Sequence, residues 1–446
     1  MRLAGLGALL FVTAWTCAGA LITLTACPPW VLPAVAGIAG PLALWCGFRG
    51  RDAPAKAAAA VAGLLLSTSA LWPRPMTNSD TLPASEQPWN LIRRGTFLMD
   101  GLPALRKPAY WVVRLPGGHA ASAYPPGIVL LASPFYLPAA LSRTAPDTPV
   151  LASFERATAA VLCAIATLVL GLALRALGAT GRQVLIGTSL AALCTPMLSL
   201  SSGALWQHTA LAITLTATLL AVASRERPWS GHLMVVASAL TVLSRLPGVL
   251  LLLPFAWIAR DRWRLVADCA VGTALGVLLT SAMNAAIFGS PFRGGYSYLL
   301  RGSGFTIGEL PESILGLLVS PAHGLIVFSP WVLVALRPGG SPIARACQVA
   351  ALLEYGLMTG WWCWWGSAFG SRMLAEASLL LAVPVALSPP ASKWGRLALL
   401  ATAAAAFATH AMFPALLAHE GEYRPYGAWL SEANPWVWLL TRCPRP

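Results

Sequence analysis

The sequence predicts an all-α, polytopic membrane protein, and three observations carry that prediction. Of 446 residues, 57% are hydrophobic and only 10% are charged, against about 25% charged in ordinary soluble domains. The apolar residues come in blocks of about 15–25, the length that crosses a hydrocarbon layer about 30 Å thick. The basic residues lie between those blocks. A backbone inside lipid has no water to bond, so each block must close its own hydrogen bonds as a helix. Gly- and Ala-rich blocks suit helices that pack closely in a bilayer.

In order along the chain, the pattern predicts about thirteen spans. They cover roughly 4–25, 29–47, 56–72, 152–175, 183–203, 207–223, 232–244, 247–259, 265–287, 321–336, 344–362, 373–388 and 395–416. The opening run, which ends in a lipoprotein-like LTAC at Cys27, reads as a first helix rather than a cleaved signal, because Pro28 and a second apolar block follow at once. Lys and Arg in short loops stay cytoplasmic. With the N-terminus inside, each inside loop carries at least two basic residues, from Arg49, Arg51 and Lys56 to Lys393 and Arg396. The chain is therefore expected N-in and C-out. The short pair 232–244 and 247–259 meets at the turn signal Arg245-Leu246-Pro247-Gly248. One kinked helix is the alternative there, but it would break the alternation of basic loops.

Four regions follow: N-terminal helices over 1–72, an outer loop over 73–151, a helical core over 152–416 and an outer tail over 417–446. The loop is long, and long loops are usually functional. Within it, about 128–141 is apolar but interrupted by Pro134 and Pro138. It reads as a juxtamembrane helix lying in the interface. Upstream, Tyr110–Arg114 and His119–Tyr124 flank Pro116-Gly117-Gly118, a hairpin signal. A second outer loop is expected over about 288–320.

The net charge of +14 does not point to nucleic acid, which requires basic residues gathered on a soluble face. The nine cysteines show no metal-ligand spacing. Cys163, Cys194, Cys269 and Cys347 fall inside apolar blocks, and a Cys363–Cys443 disulfide on the outer side is left open. No metal or cofactor is called for, although a divalent ion is not excluded.

Half of the 30 basic residues fall on the outer side, where topology does not explain them. They include Arg156, Lys107, Arg245 and Arg372. They are either solvated loop charge or an anion-binding cavity, with Arg suited to bidentate phosphate contacts. Asp80, in Asn78-Ser79-Asp80-Thr81 just beyond the third span, is placed either as a general base or as a cap of the segment from Leu82. Within the spans, Glu354 and His208 are costly and so are functional candidates. Arg372 and Glu376 have helical i,i+4 spacing, which would also suit a local ion pair. Trp361-Trp362-Cys363-Trp364-Trp365 is either an interfacial aromatic belt or a wall for a sugar or polyprenyl chain.

Several segments, in this order, resemble the GT-C class of membrane glycosyltransferases, especially bacterial protein O-mannosyltransferases and aminoarabinose transferases. They are Asn78-Ser79-Asp80-Thr81, Tyr124-Pro125-Pro126-Gly127 with the apolar stretch after it, and Cys194-Thr195-Pro196 leading to Leu205-Trp206-Gln207-His208. Ser320-Pro321 with Gly324-Leu325, and Trp364 to Arg372 through Phe369-Gly370, complete the set. The resemblance implies transfer of a sugar, with inversion, from a polyprenyl-phosphate donor to a lipid, protein or glycan acceptor on the periplasmic face of the inner membrane. It implies Asp80 as base and Arg372 among the residues holding the lipid phosphate, with Tyr124, His208, Trp206, Arg156, Lys107 and Arg245 as further substrate-binding candidates. The chain departs from some relatives in carrying Ala123-Tyr124 where they place Lys before the proline pair. An oligosaccharide polymerase or ligase is the nearest alternative. A lipid-linked substrate transporter or flippase is more distant, because no internal repeat is visible.

Overall fold

The structure is a computed structural model that describes residues 53–70, 80–106, 111–142, 149–299, 304–306, 310–337, 340–366, 369–417 and 434–437. The expected helices at about 4–25 and 29–47, Lys107, Cys443 and nearly all of the tail lie outside the described residues. Over the described part the protein is helical, with a single two-stranded sheet. The longer helices are α1 (Ala53–Ala70), α2 (Leu82–Arg94), α3 (Gly127–Leu141), α4 (Pro149–Ala176), α5 (Gly181–Leu193), α6 (Gln207–Ala223) and α7 (Ser230–Ser244). They continue with α8 (Val249–Ile258), α9 (Trp263–Phe288), α10 (Leu310–Val319), α11 (Pro342–Thr359), α12 (Ala375–Leu387) and α13 (Lys393–Leu417). Three stretches, Leu151–Ala176, Trp263–Phe288 and Lys393–Phe413, are long and apolar enough to cross a membrane.

Two expected spans are not continuous helices. The segment expected at 183–203 stops at Leu193, because Pro196 follows; a proline ring removes one helical donor and clashes with the preceding turn. The freed Cys194 carbonyl accepts from Ser329 Oγ and Trp331 Nε1, each at 2.9 Å. Its partners belong to the second broken segment. The expected span at 321–336 is two single-turn helices, Leu325–Phe328 and Val332–Ala335, split at Ser329-Pro330. Side chains of the second break thus satisfy a backbone carbonyl of the first, which an apolar bundle cannot leave bare.

The chain folds back at Arg245 rather than kinking. Gly231 of α7 lies against Asp268 of α9, and the Val235 and Ala239 backbone lies against Gly272 and Gly276, so α7 and α9 run parallel. Parallel neighbours require a reversed segment between them, which is α8. The loops before α7 and α9 accordingly share one end of the bundle, where Arg262 bonds Glu226 and Arg225 Nη1 lies 3.6 Å from Asp261. Gln183 at the start of α5 reaches the Leu387 carbonyl at the finish of α12. Glu155 near the start of α4 accepts the Leu205 N–H at 3.2 Å, which aligns α4 with α6. These links gather the basic loops at one end and the starts of α6 and α12 at the other.

That second end carries the expected hairpin. β1 (Val112–Arg114) and β2 (Ala120–Ser122) pair antiparallel, Val113 opposite Ala121. Gly117 and Gly118 turn the chain at φ 87° and 86°, a region that glycine enters without steric cost. Asp100 fixes the hairpin by accepting the Ala120 N–H at 2.8 Å and meeting His119 Nδ1 at 2.6 Å. Helix α2 buries Gln87 and Asn90, whose amides donate to the Phe97 and Leu98 carbonyls of the following loop. Helix α3 packs on α2 and starts with Gly127 against the Ser244 backbone, just before the Arg245 reversal. The described residues of the loop expected over 73–151 are therefore packed, and Trp89, Met99, Ile128 and Tyr136 share an apolar cluster with Phe154 and Leu162 of α4 and Ala210 of α6.

The α7–α9 contact rests on two glycines four residues apart, a spacing that lets helix backbones meet. A Cβ on Gly276 would lie 2.7 Å from the Ala239 carbonyl, whereas one on Gly356 of α11 would meet nothing within 4 Å. Gly276→Leu should therefore destabilise the protein by at least about 1–3 kcal/mol, the usual cost of overpacking. Gly356→Ala should be near neutral. Melting curves in detergent of the two variants check this.

Candidate functional site

The end of the bundle away from the basic loops gathers residues from chain stretches far apart in sequence. Asp80 lies just ahead of α2, in the turn before Pro83. The N-cap position falls on Thr81, whose side chain makes no cap bond, and the Asp80 carboxylate turns inward instead. Its Oδ1 accepts from the Trp111 indole, and its Oδ2 receives Arg372 Nη1 at 2.5 Å. Both side chains of the ion pair are largely enclosed, at 12% and 11% exposure. At that depth loss of one partner would strand the other charge, which costs far more than breaking a surface salt bridge.

Arg372 opens a single 3-10 turn, Arg372–Leu374, ahead of α12. Its guanidinium stacks over the Trp206 ring, 4.7 Å from the centroid, a cation–π contact worth about 2 kcal/mol when desolvated. On the other side it lies against Gly366, whose backbone sits at φ +46°. A Cβ at Gly366 would come within 3.0 Å of Arg372 Nη2, so that glycine leaves the room the guanidinium occupies. Burial disfavours the Arg372 cation, but the Asp80 carboxylate more than offsets this and holds its pKa above the ordinary value. Three buried polar atoms here have no partner: Arg372 Nε, Trp206 Nε1 and Ser371 Oγ. A buried donor left bare costs about 1–3 kcal/mol, so this grouping has the character of a ligand site.

Aromatic side chains enclose the pair. Trp111 and Tyr124 flank the hairpin, joined by the bond from Ala123 N–H to the Trp111 carbonyl, and their rings lie 5.2 Å apart. Tyr296 belongs to the short helix Gly295–Leu299, which docks because Gly295 has no side chain to strike the Ala123 backbone. Its ring sits edge-on to Trp111, Tyr124 and Trp361 at 5.5, 5.7 and 5.8 Å, and its hydroxyl accepts from Gln207 Nε2. Burial pushes the Tyr124 phenol well up and that of Tyr296 to about 12. Both phenols therefore stay neutral near pH 7 and serve as hydrogen-bonding groups.

One helical turn from Arg372, toward the finish of α12, a second layer begins. His208 Nδ1 and Glu376 Oε1 lie 2.7 Å apart, with Glu376 almost fully buried. Glu376 therefore joins His208 rather than forming the local pair with Arg372 that its spacing also suited. Glu354 of α11 faces Glu376. Both oxygens of Glu354 and Oε2 of Glu376 are buried and close no hydrogen bond of normal geometry. Arg245 acts on both acids and on Tyr296, and its Nη2 meets Met358 Sδ at 3.1 Å. Among the described residues no group of three or more His, Cys, Asp and Glu side chains is placed to hold a metal ion.

Six of the residues singled out from the sequence thus meet at one place: Asp80, Arg372, Trp206, Tyr124, His208 and Arg245. Arg156 sits on the first turns of α4 and is not drawn into the group by the contacts above, while Lys107 lies outside the described residues. The tryptophan run divides. Trp361 joins the aromatic enclosure, while Trp364 is fully buried beneath Gly316 of α10. Sequence reasoning missed Trp111 and Tyr296. Their signal was present: one aromatic directly precedes the first hairpin strand, and the other follows the pair Gly294-Gly295.

His208→Ala would leave Glu376 buried without a donor and should destabilise the protein by about 3 kcal/mol. Adding Glu376→Gln, which removes the stranded charge, should recover part of that loss. Unfolding of both variants in mixed micelles checks it, and equal instability of the single and double variants would count against the pairing.

No protein-family model matches the chain, and no curated protein matches it.

Proposed function

We propose that the chain is an inverting membrane glycosyltransferase that moves a sugar from a polyprenyl-phosphate donor to an acceptor at the outer face of the inner membrane. About thirteen crossings, N-in and C-out, follow from the spacing of apolar blocks and basic loops. One observation supports the reading above the others. A buried carboxylate and a buried guanidinium share one aromatic enclosure, beside hydrogen-bond donors that have no partner.

Each part answers a need of the reaction. The acceptor hydroxyl or amine attacks the anomeric carbon while the bond from that carbon to the phosphate oxygen breaks. Asp80 takes the acceptor proton, and the lipid phosphate leaves with the bonding electrons. Arg372 stabilises the charge gathering on that phosphate, in a site already arranged for it. Trp111, Tyr124, Tyr296 and Trp361 offer flat apolar faces and neutral donors suited to a sugar ring. Arg245 supplies a second cation close to Tyr296.

The reading is tested in proteoliposomes given radiolabelled polyprenyl-phosphate hexoses and pentoses. Wild type should release free polyprenyl phosphate as sugar is transferred. Asp80→Asn should lower that release by at least about a hundredfold, the low end for loss of a general base, with the folded state confirmed by its melting curve. Undiminished release in the variant would remove Asp80 from the chemistry. A carrier would instead move the donor across the bilayer without freeing polyprenyl phosphate.

A further inference from the structure

Arg372 spends only part of its bonding capacity on Asp80. Nη1 carries the ion pair, whereas Nε is buried and bare. The edge formed by Nε and Nη2 is the side-on fork that takes two oxygens of a phosphate. Trp206, whose ring lies under the same guanidinium, has its indole N–H buried and bare as well. The Asp80 carboxylate is likewise divided, with Oδ1 on Trp111 and Oδ2 on Arg372. In this state both carboxylate oxygens of Asp80 are engaged, and the Arg372 cation occupies the oxygen that an acceptor proton would need.

Resting on the glycosyltransferase reading, we infer that Arg372 is a shared cation that couples donor binding to the base. Its free edge, with the Trp206 indole, takes the donor phosphate, and the phosphate charge then releases Asp80 to accept a proton. One guanidinium cannot neutralise a carboxylate and a phosphate together. A second anion beside the carboxylate therefore raises its affinity for a proton. Trp111 keeps its bond to Oδ1 throughout and acts as the positioning residue, leaving Oδ2 directed at the acceptor. Among the described residues Tyr124 and Tyr296 also face Asp80, and both are neutral. The order of binding follows: donor first, then acceptor. An acceptor that arrives alone meets a silenced base.

Titration calorimetry of the purified full-length protein with farnesyl phosphate, in buffers of different ionisation enthalpy between about pH 5 and 8, reads the coupling directly. The pH range brackets the region between a free carboxylate and neutrality. Wild type should take up protons on binding, increasingly so as pH falls, and Asp80→Asn should lose that component. Arg372→Lys retains a partner for Asp80 but lacks the fork. It should bind farnesyl phosphate more weakly and lose the Asp80-dependent uptake, which keeps the test decisive should Asp80→Asn fail to fold. Trp206→Phe keeps the ring without its N–H and should weaken binding about tenfold or more, the worth of a hydrogen bond to a charged group. Binding with identical proton uptake in wild type and Asp80→Asn, or undiminished uptake in Arg372→Lys, would overturn the coupling and leave the donor reading standing. If farnesyl phosphate fails to bind, or farnesol binds equally well, both readings fall.

Discussion

A charge buried away from water can stay ionised only if an opposite charge is buried with it, and the Asp80–Arg372 pair imposes that condition on this protein. The partners stand 292 positions apart, so the segment before α2 and the segment before α12 must be brought together before either charge is tolerable. Trp111 from the hairpin and Trp206 from the start of α6 complete the enclosure. Four separate stretches of chain are thus committed to one geometry.

The site is made of helix ends. Asp80 precedes α2, Trp206 precedes α6, Arg245 lies between α7 and α8, and Arg372 precedes α12. In an apolar bundle a broken helix exposes backbone groups that must be bonded elsewhere. The break after Leu193 and the break at Ser329-Pro330 answer one another through the Cys194 carbonyl. Continuous helices would have packed more simply but would have left no inward-facing ends.

Hydropathy and basic-residue spacing made most of the helical frame legible. Helix α6 runs over the residues 207–223 that its apolar block marks, and α9 and α13 exceed theirs by only one or two residues at each end. The breaks at Pro196 and Ser329-Pro330 were not legible, because a hydropathy window counts side chains and is blind to backbone donors. The site was legible as individual charges and not as a constellation. Asp80 stood out as an acid beyond an apolar block, and Arg372 as a cation that topology did not require. Their partnership was hidden by a nearer choice, since Glu376 has the spacing of a local partner to Arg372. Only the packing of α6 on α12 shows that His208 takes Glu376 and leaves Arg372 for Asp80. Trp111 and Tyr296 were hidden for a different reason: aromatics near a membrane surface have a common structural use, and nothing local separates an enclosing ring from an anchoring one.

Two layers of charge, one helical turn apart, remain an expensive way to hold helices together. Well-packed apolar residues of similar volume would often serve stability as well or better. In the lower layer, His208, Glu376, Glu354 and Arg245 form a set in which the acids face one another and are balanced from two sides. This layer sits directly behind Arg372, because Glu376 follows it by one turn of the same segment. Any movement of Arg372 toward a ligand is therefore constrained by a helix start that His208 pins to α6. The lower charges are best understood as the anchor of the upper pair. They tie the start of α12 to α6 through the His208–Glu376 contact, directly behind the residue that pairs with Asp80.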